Sequence, residues 1–229
     1  APTIELTAQT FREWAMQHKE EFDFLIICSD DDAGNLGEDN SDIPVSDLGI
    51  RVTTDAREIL DFLEMKSDKR KYVFSTYQSS DRIRQAMELT TAFKSFDLII
   101  FDRYHRRGIL PTAYLNNIAD YVIKGGAVMD IAGPSFVTSL SLAASPLGKI
   151  LPARPTGKVV ESAFVPTISE RGYRHPVTSG LEEGADSEVK LGWGRWFRLF
   201  DAEAESGEVL LTGVEGKPLL VLDRVGEGR

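Results

Sequence analysis

Short apolar runs alternate with amphipathic segments through the first two thirds of the chain. Four runs have the length and composition of buried strands, and they lie at residues 24–28, 71–74, 97–101 and 127–131. The segments around them show helical periodicity: residues 4–18, a segment through Ile59 and Leu63, one through Ile83 and Met87, and one that Pro111 opens. Apolar strands that alternate with helices indicate a parallel sheet covered on both faces. The predicted fold class is therefore α/β, a three-layer parallel sheet with helices on both faces.

Beyond residue 151 the pattern changes to short strands separated by Pro and Gly. Residues 209–212 and 218–222 are apolar and flank the polar stretch 213–217, which predicts a C-terminal β-hairpin. An aromatic group in this region, Trp193, Trp196, Phe197 and Phe200, is interpreted as core and hairpin packing rather than as a binding platform.

The formal net charge is −10, which argues against strong nucleic-acid binding because that affinity comes mainly from clustered Lys and Arg. Acid is concentrated at residues 30–47, interpreted as a solvated loop, with a hard-cation site at Asp30, Asp32 and Asn35 as the alternative. No run approaches the ~20 apolar residues of a membrane span, so no membrane contact is expected from this segment. The single cysteine, Cys28, lies in an apolar run, so we expect it to be buried and the protein to be cytoplasmic.

Three stretches of the first half form a recognisable series of motifs. They are APTIELTAQT at residues 1–10, LIICSD at residues 25–30 and VFSTYQS at residues 73–79. The run FDLIIFDRYH at residues 96–105 follows them and ends with Asp-x-x-His spacing. In this order, residues 1–101 resemble the first motor domain of DEAD/DEAH-type helicases, particularly the branch found in restriction enzymes.

This resemblance implies that five polar residues contact nucleic acid: Thr3, Gln9, Ser75, Thr76 and Gln78. Capping of helices and turns is the alternative role for the same residues, because short polar side chains often satisfy backbone groups at such positions.

The resemblance also implies machinery for ATP hydrolysis, part of which is missing. The phosphate-binding pattern Gly-x-x-x-x-Gly-Lys-Ser/Thr occurs nowhere in the chain, and its expected position precedes Ala1. Asp102 is a candidate Mg²⁺ ligand, with a loop cap as the alternative, but Arg103 stands where such motors carry the Glu that orients water. His105 is interpreted as part of an exposed basic cluster. We therefore expect no ATP hydrolysis.

A second set of stretches carries a different resemblance. The stretches are residues 101–111, 125–127, 132–136, 174–181 and 218–229. They resemble class I glutamine amidotransferase-like domains found at the C-terminal end of certain bacterial membrane-associated proteins. In this interpretation Arg103 is a native residue of the second family rather than a replaced helicase Glu.

The amidotransferase resemblance implies a catalytic cysteine, and the second half contains none. Ser135 and His175 are the candidate substitutes for nucleophile and base. However, the Gly-x-Ser-x-Gly spacing is absent, and Pro134 removes a backbone donor that an oxyanion hole would use. We therefore expect no catalytic residue here.

Together these patterns predict a helicase-like half at residues 1–101 and an amidotransferase-like half at residues 102–229, joined in one continuous sheet. The first hypothesis is a non-catalytic, chimera-like domain whose C-terminal half binds an unknown protein or small molecule, without a cofactor. The second is a truncated helicase fragment with residual nucleic-acid binding and no ATPase activity. The third is a stable fold without selected function.

Overall fold

The computed structural model describes residues 4–18, 20–28, 52–93, 95–181 and 194–229, and the described part of the chain contains four α-helices and ten β-strands. In chain order the elements are α1 (Ile4–Gln17), β1 (Phe22–Ile27), β2 (Val52–Thr53), α2 (Ala56–Glu64), β3 (Arg70–Ser75), α3 (Ser80–Glu88), β4 (Leu98–Asp102), α4 (Thr112–Ile123), β5 (Ala127–Ile131), β6 (Ala153–Val160), β7 (Thr167–Ile168), β8 (Leu199–Ala204), β9 (Glu208–Thr212) and β10 (Pro218–Leu222). They form two compact units, Ala1–Phe96 and Asp97–Arg229.

The first unit is built on a parallel sheet with strand order β2-β1-β3. Alternate residues of β1 point to opposite faces, because side chains in a strand alternate with a period of two. Leu25 and Ile27 pack with Ile59 and Leu63 of α2, together with residues of α3. Ile26 and the buried Cys28 instead pack against Phe11 of α1. The predicted α/β class with parallel sheets and the predicted burial of Cys28 are confirmed, while the three-layer arrangement of the whole chain stays a prediction.

Aromatic contacts fix the direction of α1. The Phe11 ring lies 4.2 Å from that of Phe24 and 5.6 Å from that of Phe74. One residue past the helix end, the His18 ring lies 4.9 Å from that of Phe22, the first residue of β1. Helix α1 therefore runs antiparallel to β1, and its first turns lie toward the carboxyl ends of β1 and β3.

Both ends of α2 are satisfied by side chains. The Asp55 carboxylate accepts hydrogen bonds from the backbone N–H groups of Arg57 and Glu58 at 2.7 and 3.3 Å, which makes Asp55 the N-cap. At the other end, the Lys71 ammonium donates to the backbone carbonyls of residues 62, 63 and 65 at 3.2, 2.6 and 3.0 Å. A cation at this position also matches the negative end of the helix dipole.

The second unit contains three separate ladders among its described residues: β4 with β5 in parallel, β6 with β8 antiparallel, and β7-β9-β10 antiparallel. The predicted hairpin at residues 209–222 is confirmed as β9 and β10. The predicted burial of the strand at residues 127–131 is confirmed only in part, since Met129 and Ile131 are each 40% exposed. Both lie on one face of the pair, because successive strand residues alternate between the two faces.

The predicted halves and the compact units differ at strand β4. The first unit ends at Phe96, whereas the predicted first half ends at residue 101. The residues between them belong to β4, whose backbone pairs with β5 of the second unit from Leu98↔Ala127 to Asp102↔Ile131. Each described ladder lies within one unit, and the prediction of one continuous sheet stays a prediction.

Some sequence predictions fall outside the described residues. These are the nucleic-acid contact from Thr3, the interpretations of the acidic run at residues 30–47, and the packing of Trp193. Within the described residues, none of the helices combines the length and apolar character that a bilayer crossing requires.

Candidate nucleic-acid interface

The turn after β3 is held at the carboxyl end of the first unit's sheet. The Thr76 backbone N–H donates to the Ile27 carbonyl at 3.2 Å, so the turn begins beside the end of β1. The Ser75 hydroxyl donates to the Thr76 carbonyl at 2.8 Å, and the Thr76 hydroxyl accepts from the Ser79 N–H at 3.3 Å. Thr76 is only 1% exposed. The structure thus gives Ser75 and Thr76 contacts that shape the turn, which matches the capping alternative.

Gln78 occupies a different environment in the same turn. Its side chain is exposed, and it makes no side-chain hydrogen bond to any of the residues that the structure describes. The next residues begin α3, where the Ser80 hydroxyl donates to the Tyr77 carbonyl at 2.7 Å. A primary amide offers two N–H donors and one carbonyl acceptor, which suits phosphate oxygens and base edges alike. The turn therefore presents one amide to solvent from a well-supported backbone.

Gln9 lies in the first half of α1. It is exposed, while its neighbours Thr7 and Ala8 are 1% and 5% exposed. Because α1 runs antiparallel to β1, this part of the helix lies toward the edge that carries the turn after β3. Ligands of open α/β sheets bind at the carboxyl ends of the strands. The two exposed glutamines, Gln9 and Gln78, therefore belong to the edge where this fold class binds ligands.

In the second unit, Asp102 is the last residue of β4 and forms an ion pair with the next residue, Arg103. The Arg103 guanidinium lies 3.4 Å from the Asp102 carboxylate, which is 20% exposed. Arg103 has a φ of 49°, and its N–H donates to the Ile131 carbonyl at 2.9 Å. A Cβ on Gly133 would lie 2.8 Å from the Arg103 Cβ, so only glycine fits beside this turn. The ion pair competes with a cation for the carboxylate, and the assignment of Mg²⁺ to Asp102 stays a prediction.

Ser135 and His175 make local contacts. The Ser135 hydroxyl donates to the Tyr104 carbonyl at 3.1 Å, and His175 Nδ1 accepts from the Val177 N–H at 3.2 Å. Neither side chain hydrogen-bonds the other within the described residues. These contacts give both residues a role in their turns, and the expectation that they are not catalytic stays a prediction.

The sequence patterns did not predict two polar features of the second unit. Asp130 on β5 has its pKa raised to about 6 by burial, and the signal was a single acid inside an otherwise apolar run. Asp201 on β8 accepts a hydrogen bond from the Lys217 ammonium at 2.7 Å and another from the Thr156 hydroxyl at 2.8 Å. No local pattern indicates this cluster, because its members come from separate parts of the chain.

The interpretation of the aromatic group as packing is wrong for two of its members. Trp196 is 43% exposed and Phe197 is 68% exposed, while Phe200 on β8 is half-buried. Of the three members that the structure describes, Phe200 alone belongs to a regular ladder, where it pairs with Val159. The residue types show that these side chains are aromatic, but the sequence does not show which of them other segments bury.

Comparisons with known proteins relate the first half of the chain to one family. The sequence model of the family described as Type III restriction enzyme, res subunit, matches residues 1–127. Among curated proteins, a tRNA (guanine-N(1)-)-methyltransferase from Onion yellows phytoplasma (strain OY-M) is 24% identical over 110 residues, covering 48% of this chain and 43% of that protein.

Among solved structures, a nuclease-deletion mutant of the Type ISP restriction-modification enzyme LlaGI, in complex with a DNA substrate mimic, is similar over part of its length. It is 30% identical with a TM-score of 0.40, and the match covers 58% of this chain and 10% of that chain. This TM-score is too low to support a statement about the fold. The chain spans less than half of each of these two proteins.

The family match agrees with the order of the three helicase-like motifs in the first unit, and it extends through β4 and α4. None of these comparisons supports the amidotransferase resemblance. Because residues 1–127 make up more than half of the 229-residue chain, the chain belongs to the family of the type III restriction enzyme res subunit.

Proposed function

We propose that this chain is a helicase-like segment that binds nucleic acid through the carboxyl edge of its first sheet. The observation that carries the proposal is the exposed Gln78 amide, presented by a turn whose other polar groups are internally bonded. Gln9 on the early part of α1 adds a second exposed amide toward the same edge. Membership of a restriction-enzyme family supports nucleic acid as the ligand.

The binding is expected to be weak. A net charge of −10 repels the phosphate backbone over distances of about a Debye length, which is ~10 Å at 0.1 M salt. Neutral amides contribute hydrogen bonds without releasing counterions, so they position a strand rather than supply strong affinity. The contact surface therefore suits a segment that works beside other nucleic-acid-binding parts.

We also propose that these 229 residues do not hydrolyse ATP by themselves. Arg103 follows Asp102 at the position where related motors carry a carboxylate that orients the attacking water. A guanidinium has no acceptor for the proton of that water. An ATPase assay of the chain with single-stranded DNA and Mg²⁺ tests this, and nucleotide turnover above that of the buffer would contradict it.

The nucleic-acid proposal is tested by the change Gln78→Ala. Fluorescence anisotropy with a labelled oligo-dT strand at low salt measures the affinity. Loss of one amide contact is expected to weaken binding by roughly 2- to 10-fold, the equivalent of one net hydrogen bond. Gln17→Ala is the matched control, because Gln17 is an exposed glutamine at the other end of α1.

Equal affinities for the two variants would remove Gln78 from the interface. An absence of measurable binding by the unmodified chain at both low and physiological salt would reject the proposed function as a whole.

The amidotransferase-like interpretation of residues 102–229 remains a separate hypothesis, in which this half is an inactive module that binds an unknown protein or small molecule. This hypothesis predicts that the chain releases no ammonia from glutamine and that Ser135→Ala leaves this result unchanged. Ammonia release that disappears in Ser135→Ala would show a catalytic role for this serine and refute the inactive module.

A further inference from the structure

An exposed pair of segments in the second unit forms what we call the aromatic ribbon, residues 161–165 and 194–198. Phe164 and Trp196 hold the two segments together through a pair of backbone hydrogen bonds, each of 2.8 Å, in an isolated antiparallel bridge. Their rings form an edge-to-face pair with centroids 6.2 Å apart. The ribbon extends the β6–β8 ladder beyond the pair Val160↔Leu199.

Phe164 anchors the ribbon to the body of the unit. A Cβ on Gly213 would lie 3.0 Å from the Phe164 ring and 2.6 Å from a methyl group of Leu199, so this glycine allows the phenyl ring to approach. Leu199 is 2% exposed and belongs to the core. The ribbon is therefore held in place at Phe164, while Trp196 and Phe197 remain 43% and 68% exposed.

The charge of the ribbon differs in sign from that of the whole chain. It contains two arginines and one glutamate, whereas the chain has a net charge of −10. Arg198 pairs with Glu161 at 3.0 Å. Arg195 is exposed and makes no side-chain hydrogen bond or ion pair within the described part of the chain. Arg195, two positions before Phe197 in the same segment, is thus available to an anionic ligand.

We propose that the aromatic ribbon binds single-stranded nucleic acid, with an unpaired base stacking on Phe197 and with Arg195, two positions earlier on the same face of the strand, contacting a phosphate. Exposed aromatic rings beside cationic side chains are the combination that binds single strands without sequence preference, since every base has a flat face. A duplex is a poorer ligand because its bases are already stacked. This surface lies outside residues 1–127 and shares no residue with the interface proposed above.

The choice of nucleic acid over an acidic peptide rests on the proposed function, whereas the position of the surface does not. Exposed Trp and Arg residues also occur at protein interfaces, including those between copies of one chain. The local positive charge within an acidic molecule favours a polyanion over a second copy, because two copies with this net charge repel each other.

The experiment compares Phe197→Ala and Arg195→Gln with Tyr173→Ala in the full chain. Tyr173 is an aromatic residue of the same unit that is 47% exposed and lies outside the ribbon. Anisotropy is measured with labelled oligo-dT and oligo-U, to distinguish DNA from RNA, and with duplex DNA as competitor. Phe197→Ala is expected to weaken single-strand binding roughly tenfold, as for loss of one stacked base. Arg195→Gln is expected to lower the salt dependence by about one phosphate contact, and Tyr173→Ala to change neither.

Circular dichroism checks that each variant folds, and the high exposure of Phe197 makes misfolding of that variant unexpected. Binding by Phe197→Ala that equals binding by Tyr173→Ala would overturn the inference. So would a loss of self-association in light scattering without any change in oligonucleotide affinity, because the ribbon would then join copies of the chain.

The variant Gln78→Ala separates this inference from the proposed function. Loss of affinity in Gln78→Ala alone supports the first-unit interface and overturns the ribbon. Loss in Phe197→Ala alone supports the ribbon and overturns the first-unit interface.

Discussion

At the scale of single residues, Asp130 is the clearest conflict between a side chain and its surroundings. It lies in the middle of β5, between Met129 and Ile131, and burial alone raises its pKa to about 6. Its carboxylate makes no hydrogen bond or ion pair with the residues that the structure describes. A charge in this position loses hydration without gaining a partner, so the folded state favours the protonated form.

We predict that Asp130→Asn stabilises the protein at neutral pH. Since the pKa of Asp130 is raised on folding, from 3.8 to about 6, its contribution to stability is present below pH 3.8 and is lost as the pH rises to about 6. At pH 7.5 the amide should therefore increase the free energy of unfolding by on the order of 1–3 kcal/mol, and at pH 4 by much less. Urea unfolding at both pH values measures the difference.

The matched control is Asp120→Asn, at an exposed position of α4. This variant removes an exposed carboxylate and keeps Asp130. A similar pH-dependent gain in the free energy of unfolding in both variants would therefore contradict the role of Asp130.

At the scale of elements, one ionic cluster links three strand segments of the second unit. Asp201 of β8 accepts from Lys217, which immediately precedes β10, and from Thr156 of β6. The Asp201 side chain is 6% exposed and that of Lys217 is 29% exposed. The hydrogen bond from Lys217, followed by that from Thr156, holds the pKa of Asp201 below its usual value.

We predict that Asp201→Asn destabilises the second unit and reduces its sensitivity to acid. A carboxyl group whose pKa is lowered on folding contributes stability above its unfolded pKa of 3.8, and this contribution is lost as the pH falls through the lower folded pKa. Thermal unfolding at pH 7 should show a Tm lower by roughly 5 °C, with a smaller difference at pH 3. Thr156→Val, which removes only the second donor, should cause a smaller loss at pH 7. A pH-independent loss in Asp201→Asn would contradict this account.

At the scale of the whole molecule, the chain consists of two compact units with their own ladders, Ala1–Phe96 and Asp97–Arg229. The end of the first unit includes Leu89, which is 59% exposed, and the irregular residues 90–93. Exposed irregular segments between compact units are the preferred sites of proteolytic cleavage.

The two compact units predict, against the expectation of one continuous sheet, that limited proteolysis with a broad-specificity protease produces two resistant fragments, separated near residues 89–97. Mass spectrometry of the fragments and their circular dichroism measure the boundary and the retained structure. Degradation without a resistant intermediate would instead support one sheet that continues through both halves. The control is proteolysis in urea, where no fragment should persist.

The elements that the sequence predicted are those with a strong local pattern. Helix α1, expected at residues 4–18, spans Ile4–Gln17, and the helical segment expected through Ile83 and Met87 is α3, Ser80–Glu88. Strand β2 was not predicted, because Val52–Thr53 is a two-residue strand that is supported by its pairing with β1 rather than by a local pattern. Pairing between residues far apart leaves no periodicity in the sequence.

The candidate site shows the same division. The motif at residues 73–79 indicated a polar contact surface, and the family match covers it. The motif did not show that Thr76 is buried, at 1% exposure, and that Gln78 is exposed, because both are polar residues of one short turn. Only the hydrogen bonds of the folded turn distinguish the residue that shapes it from the residue that reaches solvent.

The sequence by itself determined the alternation of strands and helices and the family of the first half, since both depend on residues that are near one another in the chain. The tertiary structure decided that Asp130 is half-buried, that Asp201 meets Lys217, and that Trp196 and Phe197 are exposed. Burial and long-range contacts depend on which distant segments pack together, and that packing follows from the energy of the whole fold rather than from any local run of residues.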